Sequence, residues 1–238
     1  MLKTQGGNVL QIESEPLALA VAEEWASQEE HLHMSNMRLT GLAFTAQDNP
    51  LHATKESITT KILEYLHGDT ILYWNDESAK LENHCSETDA VSAADAKIVE
   101  KWLMSYNFWA LTGMQYAVES VKSVLLPYSV VTFKLGAAEA VHCATIEQKT
   151  QSETWGTVEW AHDIEQHELT ARLSAGALFV YFNTRLQLVR IGCRRVRHVY
   201  VSPCTVAHVF GTATARHARL PSCSAIVQCH YAVHALQL

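Results

Sequence analysis

Phe108, Leu111, Met114, Ala117, Val118, Val121 and Leu125 recur at three- and four-residue steps, which places them on one stripe of a helix. An amphipathic helix of this kind buries its stripe against other helices, and the rest of the sequence offers several. Ser14 can cap a helix with Pro16 in its first turn, continuing through Leu17, Val21 and Trp25 to about Glu30. A second covers Met34 to Phe44 and ends toward Asp48-Asn49-Pro50, because proline disfavours helix at the residue before it. Thr54 starts a third, Lys55 to Leu66, with Ile58, Ile62, Tyr65 and Leu66 at helical spacing and Gly68 as its stop. From Ser92 to Leu126 the pattern predicts two helices divided near Ser105-Tyr106-Asn107, with Pro127 ending the second. The next runs from Gly136 to about Ser152. The last runs from Thr157 to about Ala175, with Trp160, Ile164 and Leu173 directed inward. Three apolar stretches read as extended: Val9 to Ile12 after the Gly6-Gly7 turn, Thr70 to Trp74, and a closing strand from Gly176 to Phe182. Residues 75–91 are polar and aperiodic and read as loop.

Charge divides the chain. All 25 acidic residues lie at or before Glu168; residues 1–184 carry 11 basic side chains and a net charge of −14, whereas residues 185–238 carry seven arginines, no acid and a net +7. An acidic body repels nucleic acid and lipid phosphate, so no nucleic-acid role is expected of it. No run reaches the length of about 18 apolar residues that a membrane span requires, so no membrane insertion is expected. The start of the sequence has neither a secretory h-region nor a transit-peptide pattern, and free thiols are the default for its cysteines.

Signatures of catalysis are missing: no phosphate-binding glycine loop, nucleophile elbow, His-Glu-x-x-His or Cys-x-x-Cys occurs. One pattern is enriched. Glu-x-x-His appears at Glu30/His33, Glu64/His67, Glu139/His142 and Glu159/His162, all on expected helices, and two such pairs are what a carboxylate-bridged di-iron bundle uses. A metal-dependent, di-iron-like helical-bundle oxidase is therefore the alternative reading. A histidine near a helix C-terminus also favours the helix dipole without any metal, which accounts for the pairs at helix ends. In the tail, Cys193/His198, Cys204/His208 and Cys223/Cys229/His230/His234 could suggest zinc, but no cysteine pair has the spacing of a finger or ribbon. The densest polar cluster is Glu159 to Glu168, preceded by Trp155-Gly156. At helical spacing Glu159, His162, Asp163, Gln166 and His167 share a face opposite Ile164. This is either a solvated face or an acidic recognition helix with Trp155 and Trp160 as aromatic anchors.

Three stretches resemble a known family. Pro16-Leu17-Ala18-Leu19-Ala20-Val21-Ala22-Glu23-Glu24-Trp25 with Gln28, then Met37-Arg38-Leu39-Thr40 through Asp48-Asn49-Pro50, and above all Trp155-Gly156-Thr157-Val158-Glu159-Trp160-Ala161-His162-Asp163 with Glu168-Leu169-x-Ala171-Arg172, are similar to the assembly chaperones of F1-ATPase. Ser105-Tyr106-Asn107-x-Trp109-Ala110-Leu111-x-Gly113 fits the same family, of the F1 complex assembly factor 2 type. The resemblance runs from about Leu2 to Phe182, and residues beyond it match nothing in the family.

The resemblance implies a mainly α fold, an orthogonal helical bundle with a remnant of an N-terminal β-containing domain over residues 1–15 and a short closing strand. The chaperone domain would span 16–184, and residues 185–238 would be a basic, poorly ordered tail. It implies a monomeric matrix protein of mitochondria with no cofactor, no metal and no catalysis, which binds the free α subunit and shields its β-facing surface until the hexamer forms. An exposed subunit interface is a large apolar patch prone to wrong association, and a polar face with a few aromatic anchors can cover it reversibly. By carry-over, the partner-binding residues would be Trp25, Trp155, Glu159, Trp160, His162, Asp163 and Glu168. For Trp25 a core position is an equal expectation, since tryptophan among leucine and valine at helical spacing usually packs.

Overall fold

The computed structural model describes residues 1–72, 91–156, 158 and 160–190, the last six without side chains. Tyr73 and Trp74 of the expected extended segment, nearly all of the 75–91 loop, Glu159 and the cysteine- and histidine-bearing tail lie outside these residues. The described chain is mainly helical, and its β pairing is a single bridge between Lys3 and Val9.

Capping residues set most helix starts. Ser14 caps α1 (Glu15–Ala26) by accepting from the Leu17 amide, and Thr54 with Ser57 forms a reciprocal capping box at α3 (Lys55–His67). Ser92 caps α4 (Ala93–Met104), and Asn107 caps α5 (Phe108–Val121). α2 (Arg38–Asp48) follows a 3-10 turn at Met34–Asn36, and its cap residue Met37 makes no side-chain bond. Glu24 of α1 does that work from a distance: its carboxylate accepts from the Leu39 and Thr40 amides at 2.8 Å each and from the Thr40 hydroxyl at 2.7 Å. Negative charge is favourable at this end of the helix dipole, so Glu24 joins α1 to α2 while satisfying two orphan amides.

Several expectations are corrected. Pro127 does not end a helix; it lies in the first turn of α6 (Leu125–Val131), where its missing N–H has no intrahelical acceptor. α5 stops earlier, at Lys122 in the left-handed conformation (φ 54°). The helix expected over 136–152 is two, α7 (Ala137–Ala144) and α8 (Ile146–Trp155). Between them Thr145 leaves helical geometry and its hydroxyl donates to the Val141 carbonyl. Thr70 to Leu72 form a turn rather than a strand, organised by Asp69. That carboxylate is buried and accepts from the amides of Ile71, Val124 and Leu125, so it also caps the start of α6. Burial pushes its pKa up, against the opposing pull of those hydrogen bonds.

The largest correction concerns the closing strand. Gly176 to Phe182 lies within α9 (Ala161–Arg190), one continuous helix of 30 residues. Its apolar side chains face three core clusters: Val180 joins α3, α4 and α5; Ala175 and Phe179 join α1 and α2; Leu173 joins α5, α6 and α7. A helix covered on every side loses its polar stripe, and the remaining apolar run reads like a buried strand. α9 approaches α5 so closely at Gly113 and Gly176 that a Cβ on Gly176 would sit 2.9 Å from the Gly113 carbonyl oxygen. The Ser14 hydroxyl donates to the Phe182 carbonyl and the Asn107 side chain to the Asn183 carbonyl, fixing the starts of α1 and α5 to the same stretch of α9.

The N-terminal extended segment is tied down by side chains. Asp48 accepts from the Thr4 hydroxyl (2.7 Å) and the Gly6 amide (2.8 Å), while the Gln47 side chain bonds both the Val9 carbonyl and the Gln11 amide. The end of α2 thus takes the place of a neighbouring strand. Thr4 and Gly6 hold the Asp48 carboxyl below its ordinary range.

Candidate partner-binding surface

The sequence-derived candidates separate into three environments. Trp25 packs against the cluster formed by α1, α2 and α9, with its indole nitrogen buried and without a hydrogen-bond partner. Glu168, partly exposed, belongs to an ion-pair network within the chain: Arg38, mostly buried at the start of α2, pairs with one carboxylate oxygen, and Arg172 with the other at 2.8 Å. The hydrogen bond from Arg38 is the main reason its carboxyl is held below the usual range, with Arg172 adding to it. Both residues serve the body of the protein as it stands here. Glu159 is outside the described residues.

The third environment is the elbow between α8 and α9. None of the described side chains of α8 is buried, and the helix rests on α7 at its near end. It then turns at Gly156, whose backbone (φ 91°, ψ 156°) is a conformation reserved almost entirely for glycine. The chain returns through Trp160, itself left-handed at φ 72°, into α9, where the Gln148 side chain of α8 donates to Glu165 at 2.7 Å. Trp155 is 80 % exposed, Trp160 76 %, Val158 65 % and Ile164 63 %. The inward placement expected for Trp160 and Ile164 is therefore wrong, whereas Leu173 is fully buried. The face of these turns that packs carries His162, Gln166, Leu169 and Leu173, and at helical spacing Ile164 lies opposite it. Asp163 and His167 are exposed, and His162 and Gln166 are half-buried.

Two indoles at these exposures present on the order of 300 Å² of apolar surface, taking roughly 150–250 Å² for a buried aromatic side chain. The described charged residues of α8 and the first turn of α9 are Glu147, Glu153, Asp163 and Glu165 with a single Lys149. Exposed aromatic side chains with acidic residues on the same helices suit a protein partner more than a small molecule, which is taken up in a concave pocket.

Among the described residues the Glu-x-x-His pairs do not come together as a metal site. Glu30 and His33 lie beyond the end of α1 and are exposed, so that pair is not helical, and Glu139 accepts from the Gly136 amide at the start of α7. Among the described residues no group of three or more histidine, cysteine, aspartate or glutamate side chains is placed to hold a metal ion. Among them, also, no helix is long and apolar enough to cross a membrane. Sequence reasoning missed Glu24, Arg38 and Asp69. A signal existed for one: Glu168 and Arg172 stand four apart on a helix, and Arg38 and Arg172 are the body's two arginines.

Comparison with known proteins gives concordant results. The family model "ATP12 chaperone protein" matches residues 1–91. The mitochondrial protein atp12 of Schizosaccharomyces pombe is 25 % identical over 212 residues, covering 74 % of this chain and 73 % of that protein. The crystal structure of Atp12 from Paracoccus denitrificans superposes with a TM-score of 0.62 at 22 % identity, covering 76 % of this chain and 88 % of that one. A point mutant of the same bacterial protein gives 0.62 at 21 %, covering 76 % and 87 %. At these identities the two structures establish a shared fold.

Proposed function

From the premise that this is an ATP12-like chain, we propose that it is an assembly chaperone for the F1 sector of the mitochondrial ATP synthase. It binds the free α subunit and shields the surface that later meets the β subunit. The observation that carries this reading is the exposure of Trp155 at the end of α8 and of Trp160 at the start of α9, joined to the family match over the first 91 residues. A holder needs a surface that adheres to apolar area and lets go of it, and aromatic anchors with an acidic rim meet both demands.

On this reading residues 16–184 are the working domain, the protein acts as a monomer in the matrix, and it uses neither cofactor nor catalysis. Trp155, Trp160, His162, Asp163 and, by sequence, Glu159 carry the contact. Trp25 and Glu168 contribute by holding α1, α2 and α9 together. Pull-down of purified α and β subunits by the tagged chain tests the assignment: α is recovered and β is not. Equal recovery of both subunits, or of neither, refutes it. The di-iron alternative predicts stoichiometric iron or manganese in the purified protein, and elemental analysis that finds neither removes it.

A further inference from the structure

We propose that an aromatic face built from the end of α4, α6 with the turn after it, and the later turns of α9 is a docking site for a segment of this same chain. The occupant is the arginine-rich run Arg194-Arg195-Val196-Arg197 that follows α9. The proposal goes beyond the chaperone reading and does not depend on it.

Ring contacts assemble the face. Trp102 of α4 meets Tyr106, just after that helix, edge to face with centroids 5.4 Å apart, and meets Tyr128 of α6 in the same way at 5.0 Å. Phe133, in the turn after α6, stands edge-on to Tyr181 of α9 at 5.4 Å. The two groups adjoin, because Trp102, Tyr106 and Val131 all pack against the core cluster that contains Val180. Trp102, Tyr106, Tyr128 and Tyr181 are half-buried, whereas Phe133 is 73 % exposed. Phe133 also has a left-handed backbone (φ 58°), an outlier for so bulky a side chain. Backbone outliers gather at binding sites and switch regions, and this one holds an exposed phenyl ring at the edge of the face.

The course of α9 selects the occupant. Its residues 181–183 lie level with the face: Tyr181 touches Phe133, and the Asn107 side chain, next to Tyr106, donates to the Asn183 carbonyl. From there α9 continues to Arg190, about 10 Å further at 1.5 Å per residue. Arg194 follows four residues later, and four extended residues span about 13 Å, enough to bring it back to the level of the rings. Arg195 and Arg197 then reach farther across.

The chemistry matches. One ring of the face already holds a cation, since Lys134 Nζ lies 5.5 Å from the Tyr128 centroid. Guanidinium groups stack flat on indole and phenol rings, and three arginines within four residues offer several such contacts. Residues 191–238 contain no acid, while residues 1–184 carry a net −14, so the two parts of the chain attract at longer range.

Photo-cross-linking in the full chain tests the docking, with Phe133→benzoylphenylalanine as the probe, Lys134→benzoylphenylalanine as a second probe and Leu19→benzoylphenylalanine on α1 as the control. All three positions are exposed, so the thermal midpoint should stay unchanged, which the same samples verify; should the Phe133 variant fail this check, the Lys134 variant supplies the reading. Irradiation should join the probe to residues 191–201 of the same chain, located by mass spectrometry, with a yield at least about tenfold above that from Leu19. Adding Arg194→Ala, Arg195→Ala and Arg197→Ala should lower the yield at least about fivefold, since each exposed cation–π contact is worth roughly a factor of two to five.

Absence of a cross-link to residues 191–201, an equal yield from Leu19, or a yield unmoved by the three alanines overturns the proposal. A cross-linked species of twice the chain's mass assigns the face to self-association, and a cross-link that forms only to added purified α subunit assigns it to that partner; each refutes docking of the chain's own segment. None of these results touches the chaperone reading, which the pull-down decides.

Discussion

Replacing Gly176 with alanine should destabilise the protein, although alanine is the better helix former. A Cβ at that position lies 2.9 Å from both the Ala117 methyl and the Gly113 carbonyl oxygen, and 3.2 Å from the Ala117 amide nitrogen. Comfortable carbon contacts are about 3.5–4.0 Å, so α5 and α9 would have to separate by several tenths of an ångström or more. Those helices carry residues of all three core clusters, and no flexible side-chain end is available to yield. Overpacking of this kind costs about 1–3 kcal/mol, while the helix propensity of alanine returns about 0.8–1.0 kcal/mol. The net expectation is a loss of up to about 2 kcal/mol, or up to about 8 °C in thermal midpoint for a domain of this size. Gly41, inside α2, provides the control, since an added Cβ there meets nothing within 4 Å. Gly41→Ala should raise stability by about 0.5–1 kcal/mol. Urea denaturation followed by circular dichroism measures both variants against the parent. If Gly176→Ala proves as stable as Gly41→Ala, the close α5–α9 contact described here is wrong.

Three further outcomes follow from particular contacts. Glu24→Ala should cost about 1–2 kcal/mol in urea denaturation, because two amides at the start of α2 lose their acceptor; an unchanged midpoint would show that Glu24 is not the cap. Glu168→Gln should lower stability at neutral pH by less than about 1 kcal/mol, since the carboxylate is partly exposed and screened. Its folded pKa is depressed, so the stabilisation is present above the ordinary glutamate pKa and is lost as pH falls through the lowered value. The difference between parent and variant should therefore vanish in acid, and a difference that persists there contradicts the ion-pair assignment. Asp48→Asn should speed proteolysis within residues 1–12 without altering the helical signal, as the hairpin loses its charged acceptor for Thr4 and Gly6.

Helix starts were legible because the capping residues Ser14, Thr54, Ser92 and Asn107 are local signals, and each occurs in the structure. The stripe from Phe108 to Val121 was legible for the same reason: one face of α5 is determined by neighbours three and four residues away. What failed depends on distant residues. Gly176 to Phe182 is helical because three clusters surround it, and nothing within seven residues distinguishes that from a strand buried on both faces. Hydrophobicity points Trp160 and Ile164 inward, whereas the packed face of α9 is the one that carries His162, Gln166, Leu169 and Leu173. Glu24, Arg38 and Asp69 act across 15 to 130 positions of sequence and left no local pattern. Trp155 and Trp160 are legible as aromatic anchors beside the polar cluster Glu159 to Glu168 and again in the family-like Trp-Gly-x-Val-Glu-Trp run, while a single valine such as Val158 carries no signal.

On the proposed function this chain holds the free α subunit in an assembly-competent form. Diluting denatured α subunit into buffer with an equimolar amount of the chain, while following light scattering, tests it most directly. The account predicts that scattering is suppressed and that a soluble one-to-one complex is recovered, with no comparable effect on the β subunit. Scattering that develops as it does without the chain, or equal protection of both subunits, would contradict it.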